Sequence, residues 1–243
     1  LRQAIDADKI PSIILWGPPG SGKTTLAFLI SRLTHSHFSD ISAVSSGVAE
    51  MRAIIHEAEE RLSMQGQRTI IFIDEIHRFN KAQQDAMLPY VENGTVTLIG
   101  ATTENPSFEV ISPLLSRCRT FSLKALSGEE IKIIIERALR DKEKGLGNLD
   151  LHLEPETMDS LILLSQGDAR VVLNALEIAA LSLKEGEKVI NLPIIESVFQ
   201  QTTLLYDKKG EEHYNIISAL HKSLRDSDPD AGLYWLGRML EAG

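Results

Sequence analysis

The chain has 243 residues, 43% of them hydrophobic and 24% charged. This suits one large domain, or one plus a smaller partner, with a sizeable buried core, and it excludes disorder as the main state. The 34 acidic against 25 basic residues give a formal charge of -9, which argues against a surface coated all over in nucleic acid but leaves room for a local basic patch. No apolar run approaches the ~20 residues of a membrane span, so no membrane partner is expected. A single cysteine, Cys118, excludes an intrachain disulfide framework and any multi-cysteine metal site, and fits a reducing, intracellular compartment. The sequence opens on Leu1 with no signal or transit pattern and ends within a helical pattern, so it reads as a fragment of a longer protein.

In chain order, Leu1–Asp8 reads as a short helix and Ser12–Trp16 as a strand buried on both faces. A Gly/Pro-rich loop and a helix from Lys23 to about Leu33 follow. Phe38–Val44 predicts a second strand, Val48–Met64 a helix, and Thr69–Asp74 a third, buried strand. Lys81–Val91 has helical spacing with Asn80 placed to cap it. Thr95–Ala101 and Arg119–Leu123 complete the strands. Strands alternating with helices predict a parallel α/β sheet. Beyond Ala125 only helices are expected: one opened by a Ser127/Glu130 capping box, then Pro155–Ser165, Ala169–Lys184 and Leu192–Gln201. A hairpin of Glu211–Leu224 and Asp230–Glu241 closes the series. The division expected is an α/β core at residues 1–125, a small all-helical domain at 126–203, and the start of a further helical domain at 204–243.

Gly17, Pro18, Pro19, Gly20, Ser21, Gly22, Lys23 and Thr24 match the phosphate-binding pattern GxxxxGK[ST]. Glycines let backbone N–H groups converge on phosphate oxygens, Lys23 supplies a cation to the β/γ-phosphates, and the Thr24 hydroxyl is a Mg²⁺ ligand. Thr25 stands in the same first helical turn, whose positive dipole end favours the anion. Ile70–Asp74 followed by Glu75 is an apolar strand ending in two carboxylates. Asp74 is placed to reach the Mg²⁺ shell, and Glu75 to polarise an attacking water. Guanine recognition commonly uses Asn-Lys-x-Asp; Asn80-Lys81-Ala82-Gln83 lacks the Asp. ATP with Mg²⁺ is therefore the expected cofactor pair. His77 reads as a surface or structural histidine. Arg78 and Arg52 are weaker candidates for facing DNA, and Cys118 reads as a packed thiol rather than a nucleophile.

Asp74-Glu75, Ala101-Thr102-Thr103, Leu115-Ser116-Arg117-Cys118 and Gly167-Asp168-Ala169-Arg170 occur in the order found in AAA+ ATPases, and the Ser-Arg-Cys turn is similar to that of clamp loaders. Asp74–Gln84, Gly100–Phe108 and Gly210–Ser218 further resemble the replication-associated recombination protein A family, which includes the Werner helicase-interacting protein. The resemblance covers nearly the whole chain. It implies a P-loop AAA+ parallel sheet flanked by helices, a helical lid, and a C-terminal domain that supports tetramers. It also implies that Thr103, ending the fourth strand, is the sensor 1 residue that helps hold the attacking water or γ-phosphate. Thr102 and Asn105 are alternatives. Arg117 would be an arginine finger reaching a neighbouring subunit, and Arg170 a sensor 2 residue contacting phosphate of its own subunit.

The activity this implies is ATP hydrolysis, DNA-stimulated, in replication-fork maintenance and recombination or repair. Partners would be single-stranded, gapped or forked DNA, further copies of the chain, and single-strand-binding protein or polymerase and clamp components. The location would be cytoplasm or nucleoid in a bacterium and nucleus in a eukaryote. Two rivals remain: an ATP-gated scaffold that hydrolyses slowly, and a P-loop small-molecule kinase. The arginine order weighs against the kinase. The family's segment that cradles adenine precedes Leu1, so the base pocket is not assigned.

Overall fold

The computed structural model describes residues 1–6, 10–42, 47–184, 186–207, 223 and 229–241. The chain divides into two compact units, Leu1–Ser127 with Gln166–Ala169, and Gly128–Ser165 with Arg170–Gly243.

The first unit is built on a five-stranded parallel sheet in the order β2-β3-β4-β1-β5. The strands are β1 (Ile13–Trp16), β2 (His37–Ser42), β3 (Thr69–Asp74), β4 (Val96–Thr102) and β5 (Arg119–Ser122). Helix α1 (Arg2–Asp6) precedes β1, helices α2 (Lys23–Leu33), α3 (Val48–Gln65) and α4 (Lys81–Glu92) connect the strands, and short helices α5 (Pro106–Glu109) and α6 (Ser112–Leu115) come before β5. Period-2 alternation sorts the apolar runs onto two faces. Ile13, Leu15, Ile70 and Phe72 pack with Ala27 and Ile30 of α2. Ile14, Ile71, Ile73 and Leu98 pack with Met51, Ile55 and Met87 of α3 and α4. Each such Ile, Leu, Phe or Met side chain, fully removed from water, contributes about 1.5–3 kcal/mol relative to exposure. Covering both faces is what a sheet of continuous apolar strands requires.

Asn80 caps α4 through a reciprocal pair, its side chain accepting from the Gln83 N–H while the Gln83 side chain accepts from the Asn80 N–H. Gly100 sits mid-strand because a Cβ there would meet Ile14 Cδ1 at 2.8 Å and Ile76 Cδ1 at 2.9 Å. Ile76 is thereby seated in the core, and it anchors the 3₁₀ turn Ile76–Arg78 that follows β3.

The second unit carries α7 (Gly128–Arg140), α8 (Pro155–Ser165), α9 from Ala169 to Ser182, α10 (Leu192–Asp207) and α11 (Pro229–Glu241). The all-helical expectation needs one correction. His152–Leu153 and Val189–Ile190 form a two-stranded parallel ladder, β6 and β7, and two-residue strands are too short to show alternation in sequence. The helix expected at Leu192–Gln201 runs on to Asp207, so residue 203 lies inside it. Ala43 and Val44 of the second expected strand, and all but Ser223 of the first hairpin helix, lie outside the described residues. On α11, Leu233, Tyr234 and Leu236 are exposed. Among the described residues no helix is long and apolar enough to cross a membrane.

Candidate active site

Parallel strands end on one edge, and the predicted motifs follow three adjacent strands of the sheet: β1, β4 and β3. Trp16 pairs with Thr102, and Gly17, the next residue, donates its N–H to the Thr102 carbonyl at 3.1 Å. A Cβ on Gly17 would strike the Leu123 carbonyl oxygen at 2.5 Å. Gly20 and Gly22 have φ of 64° and 86°, the left-handed region that glycine enters without steric cost.

Lys23 is 8% exposed and its Nζ donates to the Gly17 and Pro18 carbonyls, both at 2.8 Å, while Ser21 Oγ donates to Pro18 at 2.8 Å. Pro18 is half-buried, Pro19 is exposed, and Thr24 and Thr25 stand exposed in the first turn of α2. No side chain caps that helix. A cradle of this kind, with a lysine ammonium at an uncapped helix start, has the chemistry of a phosphate site.

Asp74 ends β3, and its Oδ1 accepts from the Glu75 N–H at 3.1 Å. By strand alternation Asp74 shares the α2 face of the sheet with Phe72. A Mg²⁺ ion bound with phosphates needs only one or two protein ligands, and the Asp74 carboxylate and the Thr24 hydroxyl fit that role. Among the described residues, no group of three or more His, Cys, Asp or Glu is arranged to hold a metal ion unaided. Asp40 on β2 was not singled out from the sequence. Asp40 stays exposed at the surface, yet partial desolvation and then the negative charge of Asp74 raise its pKa, so the two carboxylates share one electrostatic environment. The alternating pattern of β2 was the only signal available for it.

Glu75 has φ 56° and ψ 47°, a left-handed conformation for a residue with a side chain, at a cost of roughly 1–2 kcal/mol. Its Oε2 lies 3.1 Å from His77 Nε2 and 3.5 Å from Arg78 Nε. His77 Nδ1 is 3.0 Å from Thr102 Oγ1, and its Nε2 is 3.7 Å from Glu104. His77 is therefore no surface histidine; its side chain is 11% exposed and bridges the ends of β3 and β4. Nothing in hydrophobic periodicity announces this, because the bridge depends on the 3₁₀ turn.

The expectation for the end of β4 also changes. The strand ends at Thr102, which is fully buried and accepts the Glu104 N–H at 3.0 Å, whereas Thr103 lies beyond the strand and is exposed. Asn105 caps α5 by accepting the Ser107 N–H.

Arg117 lies on the opposite edge. It precedes β5, whose Arg119 N–H donates to the Ser12 carbonyl just before β1 begins. The four residues of β1 separate that level from the P-loop, about 13 Å at ~3.3 Å per residue. The fold does not bring Arg117 to its own P-loop. Its guanidinium pairs with Glu92 and donates to the Pro113 carbonyl at 2.8 Å and Ser116 Oγ at 3.0 Å. Cys118, next to it, has its thiol pushed up to about 11 by burial, in keeping with a packed, unreactive group.

Gly167 and Asp168 belong to the α/β unit. The Gly167 carbonyl accepts the Leu126 N–H at 3.1 Å, and Asp168 stands directly over Gly20. Arg170 is exposed on α9, in the helical unit.

The family model described as "ATPase family associated with various cellular activities (AAA)" matches residues 13–126, and that described as "AAA C-terminal domain" matches residues 147–225. Replication-associated recombination protein A of Escherichia coli strain K12 is 48% identical over 246 residues, covering 100% of this chain and 55% of that protein. The protein of the same name from Coxiella burnetii is 49% identical over 245 residues, again 100% and 55%. ATPase WRNIP1 of Dictyostelium discoideum is 41% identical over 261 residues, 100% of this chain and 30% of that one. The chain thus spans about half the length of the first two and less of the third. Among solved structures, the Thermotoga maritima RuvB Holliday junction branch migration motor superposes with a TM-score of 0.70 at 28% identity, over 93% of this chain and 73% of its own.

Proposed function

The chain belongs to the AAA+ ATPases, in the family of replication-associated recombination protein A, and on that premise we propose that it hydrolyses ATP to drive remodelling of DNA ends or protein–DNA complexes at replication forks and in recombination. The observation that carries this reading is the convergence of the P-loop, Asp74–Glu75 and Thr102 at the ends of three adjacent strands.

In this reading Gly17–Thr25 holds the triphosphate and Lys23 leaves its loop carbonyls to face the β/γ-phosphates. Thr24 and Asp74 hold Mg²⁺, which when bound neutralises charge on the transferring phosphoryl group. Glu75 orients the attacking water and accepts its proton. Sensor 1 falls to Thr103, which is exposed just past the strand end, whereas the Thr102 hydroxyl is buried and engaged by His77 and Glu104. Arg117 acts on the nucleotide of a neighbouring copy, since its own P-loop lies across the sheet. Arg170 is the sensor 2 residue of a lid at residues 126–203, and residues 204–243 begin the domain that holds a homo-oligomer, a tetramer, together.

DNA recognition by a chain of charge -9 rests on a local patch, so affinity falls steeply with salt. The test is steady-state phosphate release by the full-length protein, alone and with single-stranded, gapped and forked DNA at fixed ionic strength. The reading predicts DNA stimulation. A rate indifferent to all three DNAs, with ATP-dependent partner binding that survives Glu75→Gln, would replace the motor by an ATP-gated scaffold.

A further inference from the structure

We infer that His77 is the positioning residue of Glu75, and that Thr102 fixes the ring so that Nε2–H points at the Glu75 carboxylate. The inference rests on the reading of Glu75 as the base for water.

A carboxylate only accepts hydrogen bonds, so the 3.1 Å contact between His77 Nε2 and Glu75 Oε2 places a proton on Nε2. The other nitrogen, Nδ1, then meets Thr102 Oγ1 at 3.0 Å. Thr102 Oγ1 already accepts the Glu104 N–H at 3.0 Å, and its one proton goes either to the Glu104 carbonyl at 3.3 Å or to His77 Nδ1. In a neutral ring Nδ1 accepts that proton. In a charged ring Nδ1–H donates to Oγ1 and the hydroxyl turns to Glu104. Both states keep Nε2–H on Glu75, so the tie does not depend on the ring's charge. The groups facing this chain are Glu75, Glu104 and Arg78, with Arg78 adding a second, longer contact to Glu75 at 3.5 Å.

The surroundings make this a built arrangement. Ile76, fully buried beneath Gly100, sets the turn that presents His77. Thr102 is fully buried, and Glu75 is held in a left-handed conformation that its neighbours must enforce. The relay links the end of β3, which carries Glu75, to the end of β4, which begins the Thr103 loop. A shift in that loop is therefore transmitted to the angle at which Glu75 meets water.

The experiment uses the full-length protein and measures kcat, KM and the Kd of a fluorescent ATP analogue, with Glu75→Gln in parallel. His77→Ala is expected to lower kcat by about 10²-fold, the loss that follows from misplacing a reacting group by about 1 Å, while the Kd stays within about threefold. His77→Gln, which keeps an N–H donor at the reach of Nε2, recovers a large part of that loss. Thr102→Val lowers kcat too, and combined with His77→Ala it adds nothing, because both act on one tie.

Wild-type kcat in His77→Ala beside an inactive Glu75→Gln overturns the inference and leaves the reading of Glu75 standing. Full activity in Glu75→Gln overturns both. A His77→Ala loss that Gln does not rescue, or one that adds to Thr102→Val, also overturns the inference, since it would mark His77 as merely structural.

Discussion

Arg117, two residues before β5, forms an ion pair with Glu92, the last residue of α4. Both side chains are 41% exposed, so solvent screens the pair and it contributes only about 0–1 kcal/mol to stability. The guanidinium is held at the edge of the sheet, away from its own P-loop.

The first prediction separates the ion pair's part in stability from the proposed part of Arg117 in turnover. Glu92→Gln should move the melting temperature by no more than about 2–4 °C, the shift that ~1 kcal/mol produces in a domain of this size. Arg117→Ala should instead cost about 10³–10⁵ in turnover. Mixed assemblies of Arg117→Ala and Glu75→Gln should regain activity, because the Arg117→Ala subunit keeps Glu75 and receives the guanidinium of its neighbour. The check is phosphate release across mixing ratios with subunit exchange confirmed. No recovery despite exchange would rule out action between subunits.

A second prediction concerns the P-loop. A Cβ at Gly20 lies 1.8 Å from Asp168 Oδ1 and 2.9 Å from its Cα, at a φ of 64°. Gly66 has the same φ with nothing within 4 Å. Gly66→Ala therefore carries only the left-handed backbone cost of about 1–2 kcal/mol, whereas Gly20→Ala adds a collision that displaces the loop or Asp168. Gly20→Ala should weaken ATP binding by at least about tenfold, some 1.4 kcal/mol. Gly66→Ala should lose thermal stability alone. Calorimetry and nucleotide titration on the two variants decide it.

These contrasts show what the sequence reveals. The buried strands Ile13–Trp16 and Thr69–Asp74 were legible because both faces are covered and their apolar runs are continuous. Gly17–Thr24 was legible because its glycines and lysine sit at fixed spacing. The end of β4 was misplaced by one residue, since Thr102 and Thr103 are chemically identical and only the pairing of Trp16 with Thr102 separates them. The partners of His77, which was read as surface or structural, and the pairing of Glu92 with Arg117 escaped because they lie across turns or on other elements, where neither period 2 nor 3.6 applies.

A third prediction follows from Asp40. Partial desolvation and the Asp74 charge raise its folded pKa, so as pH rises the unfolded chain ionises first and stability is lost through that window. Asp40→Asn removes the loss. In the metal-free protein it should raise the melting temperature at pH 7 and leave it unchanged near pH 3, where both forms are neutral. Mg²⁺ should narrow the gain at pH 7, because a cation at Asp74 offsets the repulsion. Melting curves at the two pH values with and without Mg²⁺ test this, and a gain of equal size at both would exclude a charge effect.

The central claim is that Asp74–Glu75 and the P-loop form one hydrolytic site. Its most direct test is ATP affinity and single-turnover phosphate release measured together on the full-length protein, on Lys23→Ala and on Glu75→Gln. Lys23→Ala should lose tight binding, because the cation facing the phosphates is gone. Glu75→Gln should bind ATP within about threefold of wild type and release phosphate some 10²–10⁴-fold more slowly, the contribution of general base catalysis. Phosphate release by Glu75→Gln at the wild-type rate would contradict the account.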